Sequence, residues 1–135
     1  MRYQKLIEIM QKQINAVKAF HTAFEIGFSN IPKADLGKNK NLLRYNLMKE
    51  ENEEYLEAVQ NNDLTEIADA LGDMLYILCG TIIEHGLQDK IEAVFTEIQR
   101  SNMSKLDENG RPVYREDGKV MKGNNYFKPD FSKIL

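Results

Sequence analysis

With 135 residues, 42% of them hydrophobic and 29% charged, the chain is long enough for one domain of ordinary size with a buried core. A net charge of -3 excludes a broadly basic nucleic-acid binder, and no stretch approaches the roughly 20 apolar residues of a membrane span. The single cysteine, Cys79, excludes an internal disulfide framework, and the N-terminus MRYQKLIEIMQKQ is too polar for a signal peptide, so the chain reads as a cytoplasmic protein.

The first element spans Tyr3 to about Phe24, where Leu6, Ile7, Met10, Ile14, Val17, Phe20 and Phe24 recur at helical spacing. It ends near Gly27, and GFSNIPKADLGKN, with Pro32 and two glycines, is a loop. A second helix runs from about Lys40 to Gln60. Asp63 follows as the N-cap of a third, with Glu66 at the capping-box position. The third helix runs from about Leu64 to Glu84 and stops before Gly86, a C′ glycine. A fourth covers about Gln88 to Ser101, with Ile91, Val94, Phe95 and Ile98 on one face. Beyond Asn102 the turn pairs Asn109-Gly110 and Asp117-Gly118 replace helical periodicity, and PVYREDGKVM fits a short hairpin. The elements therefore predict an all-α fold: a four-to-five-helix bundle with an irregular C-terminal tail. The chain reads as a single domain over residues 1–135, with a helical core about 3–101 and a tail about 102–135.

Charge is unevenly placed. From Glu50 to Asp89 there is no lysine or arginine, while Lys33, Lys38, Lys40, Arg44 and Lys49 precede that block. On a helical wheel of the second helix, Leu43, Leu47, Met48, Tyr55, Ala58 and Val59 form the apolar side. Glu54 falls between Leu43 and Leu47, and Glu51 between Ala58 and Tyr55. Glu50 and Glu57 lie on the rim and Glu53 outside it. The third helix is apolar over most of its circumference, which predicts burial, yet Glu66, Asp69 and Asp73 share one stripe with Gly80, bordered by Tyr76. A short turn makes the two helices antiparallel neighbours.

Buried carboxylates without partners cost several kcal/mol, roughly, each. They can be protonated, meet cations from elsewhere in the chain, or bind a metal. A cluster this dense favours the metal, and oxygen-only ligands suit a hard cation, Mg²⁺ or Mn²⁺. A di-iron site needs Glu-x-x-His pairs, which His21 and His85 do not complete. An EF-hand loop in DENGRPVYREDG is excluded by Pro112 at the glycine position. Cys79 reads as a small core residue, since nothing near it in sequence would favour a thiolate. The competing reading is a non-enzymatic helical module whose acidic face docks a basic partner or holds a structural ion.

EENEEYLEA followed by EIADALGDMLYIL resembles the MazG-like superfamily of all-α nucleoside triphosphate pyrophosphohydrolases, relatives of which include dimeric dUTPases and phosphoribosyl-ATP pyrophosphohydrolase. The family signature pairs Glu-Glu-x-x-Glu on one helix with Glu-x-x-Asp on the next. Here these are Glu50-Glu51-x-x-Glu54 and Glu66-x-x-Asp69. The resemblance covers roughly residues 40–100, and the tail SNMSKLDENGRPVYREDGKVMKGNNYFKPD is similar to that of a MazG-like subgroup. One departure concerns the second half. In many relatives its Asp directly precedes an apolar run such as MLYIL; that residue would be Asp73, and its Glu partner falls at Ala70. The ligand pair is then either Glu66-Asp69, placed first, or Asp69-Asp73.

The resemblance implies Mg²⁺-dependent hydrolysis of a nucleoside triphosphate between the α and β phosphates, giving a nucleoside monophosphate and pyrophosphate, as in the clearance of dUTP and similar nucleotides. It implies metal ligands at Glu51, Glu54, Glu66, Asp69 and Asp73, with Glu50 or Glu51 as the base acting on water. Lys105 and Lys122 would hold the outer phosphates, with Asn102, Ser104 and Tyr126 as hydrogen-bonding groups, since the comparable tail closes over the nucleotide in that subgroup. His21 either contacts a base or sugar, with Phe24 as a stacking surface, or belongs with its neighbouring phenylalanines to the core. A phosphoribosyl-ATP hydrolase remains an alternative, against which the long basic tail argues. Covering the third helix calls for a homodimer or homotetramer, which the family also implies. No nucleic-acid or membrane partner is expected.

Overall fold

A computed structural model describes the backbone of residues 2–135 and the side chains from residue 10 onward. Leu6 and Ile7 of the first apolar stripe lie outside the described side chains. Four helices form in chain order: α1 (Arg2–Ala23), α2 (Lys38–Gln60), α3 (Leu64–Glu84) and α4 (Ile91–Met103). Among the described residues the sole β element is an isolated antiparallel bridge, Tyr114 to Val120. The fold is all-α, as the periodicity predicts. No described helix is long and apolar enough to cross a membrane. The chain divides into two compact units, Met1–Gln88 and Asp89–Leu135.

In the first unit α1 and α2 both pack on α3. Ile14, Val17 and His21 form the buried stripe of α1 at the expected spacing. Asn61, Asn62 and Asp63 reverse the chain between α2 and α3, with Asn62 at φ 51°. Asp63 caps α3: its Oδ1 accepts from the Glu66 N–H at 3.1 Å. The reciprocal half of the capping box is not made, because the Asp63 N–H donates to the Ala58 carbonyl at 3.0 Å. The far end of α3 closes as a Schellman motif, with Leu87 N–H on Ile82 O and Gly86 N–H on Ile83 O. Gly86 sits at φ 68°, and a Cβ there would run into the Ile31 carbonyl, so glycine is required twice over.

Two expectations are corrected here. The fourth helix starts at Ile91 rather than near Gln88. Gln88 is buried instead and donates from Nε2 to the Ser29 carbonyl at 2.8 Å, which ties it to the first unit's loop. The third helix is not buried all round. Its C-terminal part, Cys79 to Glu84, is largely buried, whereas Leu64, Leu71, Leu75 and Leu78 are exposed. With α1 and α2 as its partners within the unit, α3 has apolar surface that is exposed among the described residues.

In the second unit, residues of the tail return along α4. Ser101 Oγ donates to the Phe127 carbonyl at 2.8 Å, Ser104 Oγ accepts from the Phe127 N–H at 3.1 Å, and the Arg100 guanidinium lies 4.3 Å above the Phe127 ring. The Asp117-Gly118 pair turns a short hairpin, held by Arg115 N–H on Lys119 O and Met121 N–H on Val113 O.

Candidate functional site

The antiparallel pairing of α2 and α3 brings one oxygen each from Glu51, Glu54 and Asp73 within 4.8 Å of one another. Glu51 is half-buried, and its Oε2 is enclosed without a hydrogen-bond partner. Glu54 and Asp73 are exposed. The Glu51 carboxyl is pushed up to about 7. Burial is the first cause, the adjacent Glu54 carboxyl the second, and the charges of Asp73 and Asp69 add to it. An orphaned buried carboxylate oxygen beside two further carboxylates is a group that could hold a hard divalent cation.

The wheel placed both Glu51 and Glu54 on the core side. The structure keeps Glu51 partly inside and leaves Glu54 at the surface, where Leu43, one of its two wheel neighbours, is itself exposed while Leu47 is half-buried. Of the two alternatives for the second helix, the structure joins Asp73 to the acids of α2. Asp69 is close enough to raise the Glu51 carboxyl by its charge. Glu66 is exposed in the first turn of α3, beside its cap, and is not among the converging acids. Glu50 is exposed next to the cluster in sequence.

His21 is a buried structural residue rather than an open contact for a ligand. It is 3% exposed, and its Nδ1 donates to the Gly27 carbonyl at 2.9 Å, since a carbonyl can only accept. Its other face lies on Gly80, where a Cβ would come within 2.9 Å of His21 Nε2 and 2.6 Å of Arg44 Nη2. Glycine on the acidic stripe is thus what lets α1 and α2 approach α3.

The tail residues are all in the second unit. Ser104 Oγ is fully used within it, donating to the Ser101 carbonyl at 2.5 Å and accepting from Phe127. Lys122 Nζ lies 4.7 Å above the Tyr126 ring, and the Lys105 carbonyl accepts from Gly123 N–H at 2.9 Å. Asn102 is exposed.

Sequence reasoning missed a buried ion cluster. Glu84, 2% exposed, faces Arg44 Nε at 3.1 Å and Lys40 Nζ at 2.8 Å, although neither carboxylate oxygen makes a well-aligned hydrogen bond. Arg44 also donates from Nη2 to the Ile77 carbonyl at 2.8 Å and from Nε to Thr81 Oγ1 at 3.1 Å. Burial draws the Arg44 pKa down and Glu84 opposes it. A cavity of about 180 Å³ is lined by the paired Lys40 and Glu84 and by Lys33. It lies eleven residues along α3 from Asp73, roughly 16 Å. The available signal was Glu84 itself, an acid at the end of an apolar run, with Lys40 and Arg44 ahead of the acidic block to meet it.

Converging carboxylates on neighbouring antiparallel helices make this an all-α fold with a candidate cation site. Residues 17–102 match the family model described as phosphoribosyl-ATP pyrophosphohydrolase, more than half of the chain, and the chain belongs to that family, within the MazG-like all-α superfamily. It is a pyrophosphohydrolase, a hydrolase of phosphoric anhydrides acting on a nucleotide-like substrate. No curated protein matches it. The matched residues hold all the acids of α2 and α3, and membership decides against the non-enzymatic module. Acid placement alone would not have done so, since Glu54 and Asp73 are exposed.

Proposed function

We propose that the chain hydrolyses a nucleoside triphosphate at the α–β phosphate bond, with Mg²⁺ as the physiological ion and Mn²⁺ as a substitute, in the clearance of dUTP or similar nucleotides. The observation that carries this reading is the convergence of Glu51, Glu54 and Asp73 within 4.8 Å in a chain of this family. Glu51, Glu54, Asp69 and Asp73 would hold the ion, with Glu66 more remote. Bound there, the ion would neutralise part of the triphosphate charge and acidify water. Glu50 or Glu51 takes the proton of the attacking water. The water oxygen bonds to the α-phosphorus as the bridging P–O bond breaks, and the electron pair leaves with pyrophosphate. Lys105 and Lys122 would hold the outer phosphates electrostatically, with Asn102 and Tyr126 as hydrogen-bond donors. The already engaged hydroxyl of Ser104 instead shapes the tail.

A second reading, hydrolysis of phosphoribosyl-ATP, is favoured by the name of the matching family. Pyrophosphate release from a panel that includes dUTP, the other nucleoside triphosphates and phosphoribosyl-ATP separates the two. Release should need Mg²⁺, stop with chelator, and fall by at least a hundredfold in Glu54→Gln. Turnover of phosphoribosyl-ATP alone would transfer the assignment to the second reading.

The exposed apolar face of α2 and α3 supports a homodimer or a dimer of dimers as the working assembly.

A further inference from the structure

Phe20, Phe24 and Tyr76 form an aromatic cluster that the core does not use. Phe20 and Phe24 lie 4.5 Å apart between ring centroids, and Tyr76 meets Phe20 edge-on at 5.6 Å. All three are exposed: 38% for Phe20, 66% for Phe24 and 42% for Tyr76. Three neighbouring aromatics exposed to this degree forfeit burial that their area would reward.

Their position explains what they can do. Tyr76 is three residues after Asp73 on α3, so the ring and the carboxylate are surface neighbours on adjacent turns, about 4.5 Å apart along the axis. The acidic stripe thus runs directly into the aromatic cluster. The cluster is also fixed in place. Phe24 follows the last residue of α1, and its N–H donates to the Phe20 carbonyl at 3.0 Å. The chain then turns back through Glu25 at φ 56° and Gly27 at φ 83°, and the buried His21 pins that turn by its bond to the Gly27 carbonyl. A rigid aromatic wall loses little entropy when a flat ligand stacks on it.

We infer that Phe20, Phe24 and Tyr76 are the stacking wall for the nucleobase of the substrate, with its phosphates at the Asp73 end of the stripe. The inference rests on the pyrophosphohydrolase reading of the acidic cluster. Stacking recognises a π-face and not a hydrogen-bond pattern, so the wall supplies affinity for any base and leaves the choice of base to other contacts. His21 acts through Gly27 as a positioning residue for this wall.

The chain has no tryptophan, so Phe24→Trp places a single reporter on the most exposed ring. An α,β-methylene nucleoside triphosphate with Mg²⁺ should quench its emission, whereas inorganic tripolyphosphate, which has the anhydrides but no base, should not. In turnover assays Phe24→Ala and Tyr76→Ala should each raise KM about tenfold or more with little change in kcat, and Tyr76→Phe should restore it. The apparent inhibition constant of tripolyphosphate should be unmoved in every variant. Full turnover by the Phe24→Trp variant with its emission unquenched by the analogue, or equal effects of nucleotide and tripolyphosphate, would overturn the wall. So would reporter emission that changes on dilution alone, which would mean that a second copy covers the patch. Quenching by the nucleotide analogue with no turnover of any triphosphate would sink the enzymatic assignment instead, and is read separately.

Discussion

Glu51 is the residue on which the chemistry and the stability of the site meet. Its raised carboxyl means that, in metal-free protein, folding favours the protonated form. The folded value of about 7 exceeds the ordinary 4.5, so its contribution to stability is fullest below pH 4.5. That contribution is lost as pH rises towards 7, and above 7 the ionised group is a standing cost. Glu51→Gln should therefore stabilise chelator-treated protein at pH 8 by roughly 1–3 kcal/mol, with little effect at pH 4.5. Thermal melts in EDTA at the two pH values check this. Wild type should rise in Tm on adding Mg²⁺, by an amount corresponding to about 2.7 kcal/mol at a hundred times Kd, and the same substitution should abolish that rise. A variant less stable than wild type at pH 8 without metal would show that Glu51 is satisfied in some other way. The sequence makes this residue legible, because a glutamate between Tyr55 and Ala58 on a helical wheel can hardly be wholly solvated. It does not fix the partner. Asp69 and Asp73 share a stripe, and only the rotation of α3 against α2 decides which of them reaches the first helix of the pair.

That rotation is set at the level of the elements. Arg44 crosses from α2 to the Ile77 carbonyl, Thr81 Oγ1 and Glu84, two turns along α2 from Glu51. Removing one member of a buried pair strands the other, at about 3–5 kcal/mol, whereas replacing both by apolar side chains recovers most of that. Arg44→Met should lower the unfolding free energy by that amount, and Arg44→Met with Glu84→Met should regain much of it, as read by urea denaturation. Lys40 can then turn to solvent, since its side chain is 38% exposed. Helix existence, order and approximate ends were readable because apolar spacing, Asp63 and Gly86 are local signals. The clasp was not, because it joins residues forty positions apart, and a lone arginine before an acidic block looks like surface charge. A second element-scale device sits on α4. Glu97 is held down at about 2, first by its hydrogen bond to Arg100 and next by the Asp130 N–H. A depressed carboxyl stabilises above its ordinary value, so this link between α4 and residue 130 should hold at neutral pH and fail as pH falls from 4.5 towards 2. Amide exchange at Asp130 should accelerate over that window in wild type and already be fast at pH 7 in Glu97→Gln.

At the scale of the whole molecule, the outstanding fact is exposed apolar surface on the first unit. Leu42, Leu43, Leu56 and Val59 of α2, with Leu64, Leu71, Leu75 and Leu78 of α3, are each 42% exposed or more. Monomeric proteins rarely display so many large aliphatic side chains on two neighbouring helices, and their burial is worth about 25 cal/mol per Å². The broad apolar surface of α3, interrupted by the stripe of Glu66, Asp69 and Asp73, is explained if a second copy covers the exposed leucines. The single chain does not bury α3 all round, so burial of these leucines would require a second copy. We propose that the protein associates through this face. Light scattering coupled to gel filtration should give twice or four times the 15.6 kDa chain mass. Leu75→Glu with Leu78→Lys should shift it to the monomer, because charges on a leucine face oppose burial while remaining compatible with the exposed positions they occupy in the single chain. A wild-type mass of one chain at micromolar concentration would refute the proposal. Retained Mg²⁺ binding in a monomeric variant would then show that α2 and α3 form the carboxylate cluster within one copy, and its loss would place part of the metal site's rigidity in the assembly.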